Sequence, residues 1–202
     1  MVGTARSVTK YPGFGDRVHD AQRTFRSLLH ALSHPGERDR IEVALTPPPG
    51  LHPATAATCL TLFDLDTTIW VQPGRSDEIR AWLAFHAGCR FSDRAGDADF
   101  ALVLDVAAMP PLTSFRRGTA ELPETGATIA IQLDSLEGDR QLDLTGPGIL
   151  EARSLHFPHM QEGFWRQWQT NTEAYPCGVD AIWLSGDRVM GLPRTTRVRE
   201  VS

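Results

Sequence analysis

Lysine is almost absent from this sequence of 202 residues. Lys10 is its single lysine, against nineteen arginines. Schiff-base catalysis requires a lysine amine whose pKa burial can lower, and Lys10 lies in residues 1–15, which we expect to be disordered. The sequence therefore argues against an enzyme that holds a substrate or cofactor through a lysine.

Cysteine is also scarce, and the chain has neither a basic excess nor a long apolar run. Its three cysteines, an odd number, argue against a disulfide scaffold and for a reducing compartment. A net charge of −5 argues against a general nucleic-acid binder. The longest nearly apolar run, Ala54–Phe63, is well short of the roughly 20 residues that span a bilayer, and residues 1–15 carry no apolar signal segment. We therefore expect a soluble, cytoplasmic protein without a membrane partner.

The sequence does contain amphipathic helical patterns. One helix is predicted from the capping residue Asp16 to Ser33, where Pro35-Gly36 ends it. Further helices are predicted over Pro53–Phe63, from Ser76 to Gly88 and over Met160–Gln169. The apolar stripe of the first helix comprises Val18, Ala21, Phe25, Leu28, Leu29 and Leu32.

Short apolar or alternating segments predict strands between and after these helices. They are Arg40–Leu45, Thr68–Gln72, Phe100–Leu104, Gly126–Leu133, Arg140–Thr145, Val179–Ser185 and Arg188–Leu192. The last two flank Gly186-Asp187, a hairpin turn signal. The order of elements predicts one α/β domain over residues 16–202, with a mixed sheet and helices on both of its faces.

No pattern for a metal site or a catalytic nucleophile is complete. His30 and His34 are four residues apart and His156 and His159 are three apart, but zinc needs a third and usually a fourth ligand. Cys177 could join either pair, although nothing in the sequence fixes its position. The three cysteines lie in apolar or Gly/Pro contexts that favour structural burial, and no G-x-S-x-G motif is present. We therefore expect no metal and no cofactor.

An acidic turn is the first of two polar clusters with a possible binding role. Asp64, Asp66 and Thr67 follow an apolar helix and precede a strand. Such side chains can hold a ligand, but they more often satisfy nearby backbone groups as caps. Both interpretations stay open for this turn.

The second cluster is the basic tail Arg194-Thr195-Thr196-Arg197, directly after Pro193. Two guanidiniums that flank two hydroxyls suit a phosphate, a phosphonate or a partner carboxylate. We predict that Pro193 starts a turn and that both arginines engage one anionic ligand or an acidic partner surface. Asp180, one strand earlier in the same hairpin, is the internal carboxylate expected to compete for one arginine.

Several phrases of the sequence together resemble one family, the H subunit of the bacterial carbon–phosphorus lyase system for phosphonate use. They keep their order and spacing over nearly the whole chain from Asp16. The phrases are Gln22-x-x-Phe25-Arg26-x-Leu28-Leu29-x-Ala31-Leu32-Ser33-x-Pro35-Gly36, Leu60-Thr61-Leu62-x-Asp64-x-Asp66-Thr67, Gly118-Thr119-Ala120 with Pro123-Glu124-x-Gly126-Ala127-Thr128, Leu144-Thr145-Gly146-Pro147-Gly148-Ile149, Pro176-x-Gly178-Val179-Asp180 and Pro193-Arg194-Thr195-Thr196.

The resemblance implies a fold similar to that of pyridoxal-phosphate-dependent transferases, here without the cofactor, in a homodimer. It also implies a core complex with the G, I and J subunits of the pathway. With the G, I and L subunits, the H subunit supports transfer of a triphosphoribosyl group from ATP to methylphosphonate, and the J subunit then cleaves the carbon–phosphorus bond. The family brings no assigned catalytic residue.

Two functional hypotheses follow. The first is a subunit that is not catalytic alone and binds partners, with a phosphonate or nucleotide as a possible ligand. The second is a stand-alone phosphonate or nucleotide transferase or hydrolase. The absence of a nucleophile–base pattern in the sequence favours the first. The candidate ligand- or partner-binding residues are Arg194, Thr195, Thr196, Arg197, Asp180, Asp64, Asp66, Thr67 and Arg26.

Overall fold

The computed structural model describes residues 10–74 and 77–201, and these contain four α-helices and ten strands. The helices are α1 (Arg17–Ser33), α2 (Pro53–Leu62), α3 (Asp77–His86) and α4 (Phe164–Glu173). The strands are β1 (Arg38–Arg40), β2 (Thr68–Val71), β3 (Arg90–Phe91), β4 (Phe100–Val103), β5 (Thr128–Gln132), β6 (Arg140–Thr145), β7 (Arg153–Phe157), β8 (Asp180–Ser185), β9 (Arg188–Leu192) and β10 (Arg197–Glu200). Short 3₁₀ helices span Ala95–Asp97, Val106–Ala108, Leu112–Ser114 and Pro123–Thr125.

A seven-stranded mixed sheet forms the centre of the fold, in the order β1-β9-β8-β5-β4-β2-β3. Strands β3, β2, β4, β5 and β8 are parallel, whereas β9 is antiparallel to both β8 and β1. A second, antiparallel sheet has the order β10-β6-β7. The predicted mixed α/β sheet is therefore confirmed.

The two faces of the large sheet are covered differently. Helices α1, α2 and α3 share one buried cluster with the sheet, to which Ala31, Ala57 and Trp82 belong. The other cluster joins the opposite face to α4 and to the small sheet, through Trp168 and Phe157 among others. Helices lie on both faces as predicted, but the second face is shared between one helix and a sheet.

Local signals placed several elements correctly. Asp16 is the N-cap of α1, and its side chain accepts hydrogen bonds from the main-chain N–H groups of Val18 and His19. Helix α2 begins at Pro53, whose fixed φ and missing N–H suit a first helical position. The buried strand β4 and the β8–β9 hairpin also lie where the sequence predicted them. The predicted cap Ser76 lies outside the described residues.

The strand predicted over Arg40–Leu45 is wrong, because β1 ends at Arg40. Its partner β9 begins at Arg188, which pairs with Arg40, so further residues would have no strand to pair with. The main-chain N–H of Ile41 makes a last hydrogen bond to the hairpin residue Asp187. Ile41 and Leu45 are still buried, so the alternation identified their burial but not their conformation.

The C-terminal half differs most from the prediction. Helix α4 begins at Phe164 rather than Met160, after a turn in which Gly163 has a positive φ of 78°. Strands β7 and β10 were not predicted, and β10 lies in the segment described as a basic tail. Both pair with β6, so their conformation depends on a partner that is distant in sequence.

Helix α1 buries a narrower face than its apolar pattern suggested. Its buried residues are Asp20, Thr24, Leu28 and Ala31. Val18, Phe25 and Leu29 are instead 74%, 51% and 55% exposed. They lie seven and four residues apart and so share one side of the helix. We call these three residues the α1 stripe.

Residues 10–15, which belong to the predicted disordered segment 1–15, contact the end of α3. The carbonyl oxygen of Tyr11 accepts a hydrogen bond from Trp82 Nε1 at 2.8 Å and lies 3.0 Å from His86 Nε2. Phe14 packs against the buried cluster beneath the helices. Residues 1–9 lie outside the described part of the chain.

Candidate functional site

Arg194 and Asp180 meet at the edge of the large sheet where the parallel strands begin. The Nη2 atom of Arg194 lies 2.6 Å from Asp180 Oδ2, and Nε and the main-chain N–H also donate to the carboxylate. Nη1 donates to the carbonyl oxygens of Pro123 and Pro176. The side chain of Arg194 is only 11% exposed. This arginine therefore joins three segments of the chain.

Glycine permits these segments to approach one another. A Cβ atom on Gly126 would lie 2.4 Å from the carbonyl oxygen of Gly178 and 2.8 Å from Arg194 Nη1. Gly126, Gly178 and Arg194 belong to three different phrases of the family resemblance. Those phrases therefore meet in space at one packed joint, which we call the Arg194 joint, made by Gly126, Gly178, Asp180 and Arg194.

The predicted turn after Pro193 is present. The main-chain N–H of Thr196 donates to the carbonyl oxygen of Pro193 at 2.8 Å. Thr195 is half-buried and its carbonyl oxygen lies against Gly146, while Thr196 is fully buried. The carbonyl oxygen of Thr196 accepts a hydrogen bond from the indole of Trp168. The turn thus anchors α4 to the sheet.

Arg197 lies apart from the Arg194 joint, on the exposed side of β10. It lines a cleft of about 410 Å³ together with Tyr175 and Glu173. Its guanidinium makes no hydrogen bond or ion pair to any residue that the structure describes, whereas all of the nitrogens of the Arg194 guanidinium donate within the fold. Of the predicted pair, Arg197 is the residue open to a ligand or partner.

The acidic turn is organised by Asp64. Its Oδ1 atom accepts hydrogen bonds from the main-chain N–H groups of Asp66 and Thr67 at 3.0 and 3.1 Å. The hydroxyl of Thr67 bonds back to the carbonyl oxygen of Asp64. These bonds have the pattern of a local cap. The exposed carboxylate of Asp66 makes no hydrogen bond to the described residues, so a ligand-binding role of this turn stays a prediction.

Arg26 lies on the exposed surface of α1, in sequence directly beside Phe25 of the α1 stripe. Its guanidinium has no bonded partner in residues 10–74 and 77–201. Another molecule could therefore contact Arg26 and the α1 stripe at the same time.

No nucleophile–base pair forms in the part of the chain that the structure describes. None of its histidine rings hydrogen-bonds to a serine or threonine hydroxyl or to a cysteine thiol. Burial raises the pKa of the Cys59 and Cys89 thiols, which disfavours the reactive thiolate. His30 and His34 stack with ring centroids 4.3 Å apart. No group of three metal-ligating side chains is present among the described residues.

Lys10 lies at the surface of the described part of the chain. Its Nζ atom lies 5.4 Å from the centroid of the Tyr11 ring. Because Lys10 is the only lysine of the chain, no other side chain can form the aldimine of pyridoxal phosphate. The residues present therefore do not fit this cofactor.

The structure also brings together residues that sequence reasoning missed. Arg140, His159 and Arg166 line a cleft of about 470 Å³ at the start of α4. They come from β6, from the loop after β7 and from the first turn of the helix. The only sequence signal for this cleft is the His156 and His159 pair, whose spacing suggests a metal site and not a cleft shared with arginines.

No helix in the described residues combines the length and the apolar character that crossing a membrane requires. The fold and site define a layered α/β protein whose motif residues join its elements instead of forming a nucleophile–base set. The chain belongs to the PhnH family of bacterial phosphonate metabolism proteins, since the model of that family matches residues 12–199.

Two curated relatives support this assignment. The chain is 34% identical over 196 residues to the alpha-D-ribose 1-methylphosphonate 5-triphosphate synthase subunit PhnH of Rhizobium meliloti (strain 1021), covering 96% of this chain and 98% of that protein. It is 39% identical over 83 residues to the putative C-P lyase subunit protein HtxG of Stutzerimonas stutzeri, covering 41% of this chain and 43% of that one. The family resemblance seen in the sequence phrases is confirmed.

Proposed function

We propose that this protein is a subunit of the carbon–phosphorus lyase core complex in phosphonate catabolism. It acts with the G, I and L subunits in the transfer of a triphosphoribosyl group from ATP to methylphosphonate. In that reaction the bond between ribose C1 and adenine breaks, and a bond from C1 to a phosphonate oxygen forms. The product is alpha-D-ribose 1-methylphosphonate 5-triphosphate, with adenine as the leaving group.

The observation that carries this proposal is the near full-length similarity to a subunit whose name states that synthesis. The second relative, named as a putative C-P lyase subunit, points to the same system. Both names describe subunits, which favours a role within an assembly over a stand-alone activity.

The chemistry of the described residues supports a chain that is not catalytic alone. The guanidinium of Arg194 already has hydrogen-bond partners within the chain. Burial raises the pKa of the Cys59 and Cys89 thiols and so favours their neutral form. A transferase that worked alone would need an acid or base positioned at the reacting atoms. In a multi-subunit enzyme, other subunits can supply those groups.

The surface of α1 supports contacts with other chains. The α1 stripe, beside an arginine that has no bonded partner among the described residues, has the composition of an interface core. We propose that the α1 stripe and Arg26 form the contact of a homodimer, and that the core complex also contains the G, I and J subunits. We also propose that the fold is related to that of pyridoxal-phosphate-dependent transferases. The single, exposed lysine favours a relative of these enzymes that does not bind the cofactor.

The test is complementation in a bacterial host whose own PhnH-family gene is deleted. Expression of this chain should restore growth on methylphosphonate as the only phosphorus source, and the vector alone should not. Growth on inorganic phosphate is the control, because it bypasses the pathway. Affinity purification of the chain from that host should recover the G, I and J subunits.

A companion assay addresses the stand-alone alternative. Purified chain with ATP and methylphosphonate should release no adenine, and addition of the G, I and L subunits should start release. Adenine release by the chain alone would replace the subunit proposal with a stand-alone transferase or hydrolase. Failure of both complementation and reconstitution would reject the proposed function.

A further inference from the structure

The cleft at the start of α4 brings together two arginines and a histidine from three separate segments. Arg140 opens β6, His159 follows β7, and Arg166 lies in the first turn of α4. An adjoining hollow of about 340 Å³ shares Arg140 and His159 and adds His156. The two hollows share two lining residues, and we call them together the α4 cleft.

Much of the hydrogen-bonding capacity of these groups is unused. Arg140 places Nε 3.5 Å from Glu200 Oε1 and Nη2 3.5 Å from His159 Nδ1, and its Nη1 bonds to no described residue. Arg166 has no guanidinium partner in residues 10–74 and 77–201. The Nε2 atom of His159, on the other side of the ring from the Arg140 contact, makes no hydrogen bond to a described residue. Several donors therefore face the cleft.

The backbone of α4 adds to this set. Gly163 caps the helix without a side-chain acceptor, so the main-chain N–H groups of Trp165 and Arg166 lack a partner among the described hydrogen bonds. Free N–H groups in a first helical turn favour an anion. Planar guanidiniums beside them are the side chains best suited to phosphate oxygens.

Two acids line the same cleft, and they restrict what kind of anion fits. Glu162 and Glu200 are exposed at its rim. Carboxylates repel a bare phosphate but accept hydrogen bonds from sugar hydroxyls, as acidic residues do for the ribose of dinucleotides. A site with guanidiniums and carboxylates side by side matches a ligand that has a phosphate at one end and hydroxyls at the other.

We propose that the α4 cleft binds a phosphorylated ribose, with Arg140, Arg166 and His159 on the phosphate and Glu162 and Glu200 on the hydroxyls. This inference deepens the proposed function and rests on it for the choice of ribose, because that reaction handles a ribose carrying phosphates. Free sugar phosphates and nucleotides share this chemistry, so both serve as probes.

The experiment is calorimetric titration of the full-length chain with ribose 5-phosphate, ATP, inorganic phosphate and ribose. We expect saturable binding of ribose 5-phosphate, weaker binding of inorganic phosphate and none of ribose. If ATP binds about as tightly as ribose 5-phosphate, the cleft admits a nucleotide. If ATP does not bind, the site is assigned to sugar phosphates. Either result supports a ribosyl phosphate as the ligand class.

Variants test the assigned residues. Arg166→Gln should raise the Kd for ribose 5-phosphate about tenfold, the effect of losing one charge-assisted hydrogen bond, and Arg140→Gln with Arg166→Gln should raise it further. Arg94→Gln is the matched control, because Arg94 is 82% exposed and is not a residue of the cleft. Glu162→Gln with Glu200→Gln should reduce the preference for ribose 5-phosphate over inorganic phosphate. Unchanged thermal midpoints would show that each variant is folded.

Two outcomes would overturn the proposal. One is the absence of saturable binding by the wild-type chain at millimolar ribose 5-phosphate. The other is an equal Kd for Arg166→Gln, for the double arginine variant and for Arg94→Gln. Titration of the isolated chain needs no other subunit, so its result is independent of complementation. Absence of binding with successful complementation would reject only the ligand proposal. Binding with failed complementation would count only against the proposed function.

Discussion

Arg194 and Asp180 form a partly buried ion pair in which the same arginine also holds two proline carbonyl groups. The shortest N–O distance is 2.6 Å, and the two side chains are 11% and 24% exposed. A pair this well hydrogen-bonded is costly to break from one side, because the remaining charge keeps its desolvation without its partner. The pair therefore has a structural role in the described fold.

Arg194→Gln is expected to destabilise the protein, and Arg197→Gln is not. Loss of the Arg194 guanidinium should cost about 2–4 kcal/mol, less than breaking a fully buried pair. That cost corresponds to a decrease of about 5–15 °C in the thermal midpoint of a chain of this size. Arg197 is exposed and serves as the matched control. Thermal unfolding followed by circular dichroism measures both variants, and equal midpoints would contradict the structural role.

Growth on methylphosphonate distinguishes a structural role from a binding role for these two arginines. If Arg197 contacts a ligand or partner, Arg197→Gln should slow growth on methylphosphonate while its midpoint stays unchanged. Normal growth of this variant, with the intact complex recovered, would remove Arg197 from the binding residues.

Gly126→Ala should destabilise the Arg194 joint through steric contact alone. The backbone of Gly126 has an ordinary φ of −65°, so a side chain there causes no conformational strain. The added methyl group would instead clash with the carbonyl oxygen of Gly178 at 2.4 Å. Overpacking of this kind typically costs about 1–3 kcal/mol. Urea denaturation measures the change in the free energy of unfolding.

Gly15→Ala is the control for that substitution. A Cβ atom on Gly15 would have no neighbour within 4 Å. Its free energy of unfolding should therefore match that of the wild type. A Gly126→Ala variant as stable as Gly15→Ala would mean that the joint relaxes easily.

The proposed homodimer should depend on the α1 stripe. Phe25→Glu places a charge in the middle of the apolar contact and should convert a dimer into a monomer. Leu150→Glu is the control, because Leu150 is an even more exposed apolar residue but lies outside α1. Light scattering at micromolar concentration should give twice the mass of the chain for the wild type and for Leu150→Glu. A monomeric wild type would reject the homodimer.

Pyridoxal phosphate should not form an internal aldimine with this protein. Lys10 carries the only side-chain amine of the sequence, and it is exposed at the surface of the described residues. Incubation with the cofactor, borohydride reduction and mass mapping should give no stoichiometric adduct, and Lys10→Arg provides the blank. A stoichiometric adduct at Lys10 that the blank lacks would contradict the prediction.

Composition alone does not show where the tryptophans lie. The sequence contains five of them, and tryptophan is a residue type enriched in interface cores. In the structure all of them are buried, from Trp168 and Trp183 at 0% exposure to Trp70 at 6%. Three of them pack with Phe157 and Phe164 between the large sheet and α4. Composition shows how much aromatic surface exists but not which side of a helix or strand carries it.

The sequence by itself determined the elements whose signals are local. Asp16 caps α1 through its own neighbours, Pro53 begins α2, and Gly186 turns the β8–β9 hairpin. The family phrases likewise identified the chain, since their order and spacing need no coordinates. The cap, the helix start and the turn each depend on residues a few positions apart, where the covalent chain limits the available conformations.

Only the tertiary structure decided which residues act together. Arg194 contacts Gly126 and Pro123 across some seventy residues. Arg140 lies 3.5 Å from His159 and lines one cleft with Arg166. The burial of one side of α1 and the strand conformation of β10 likewise depend on distant partners. Hydrogen bonding and desolvation act on whichever groups the fold places in contact. Arg194 therefore has a structural role, whereas the guanidinium of Arg197 remains open to a ligand or partner.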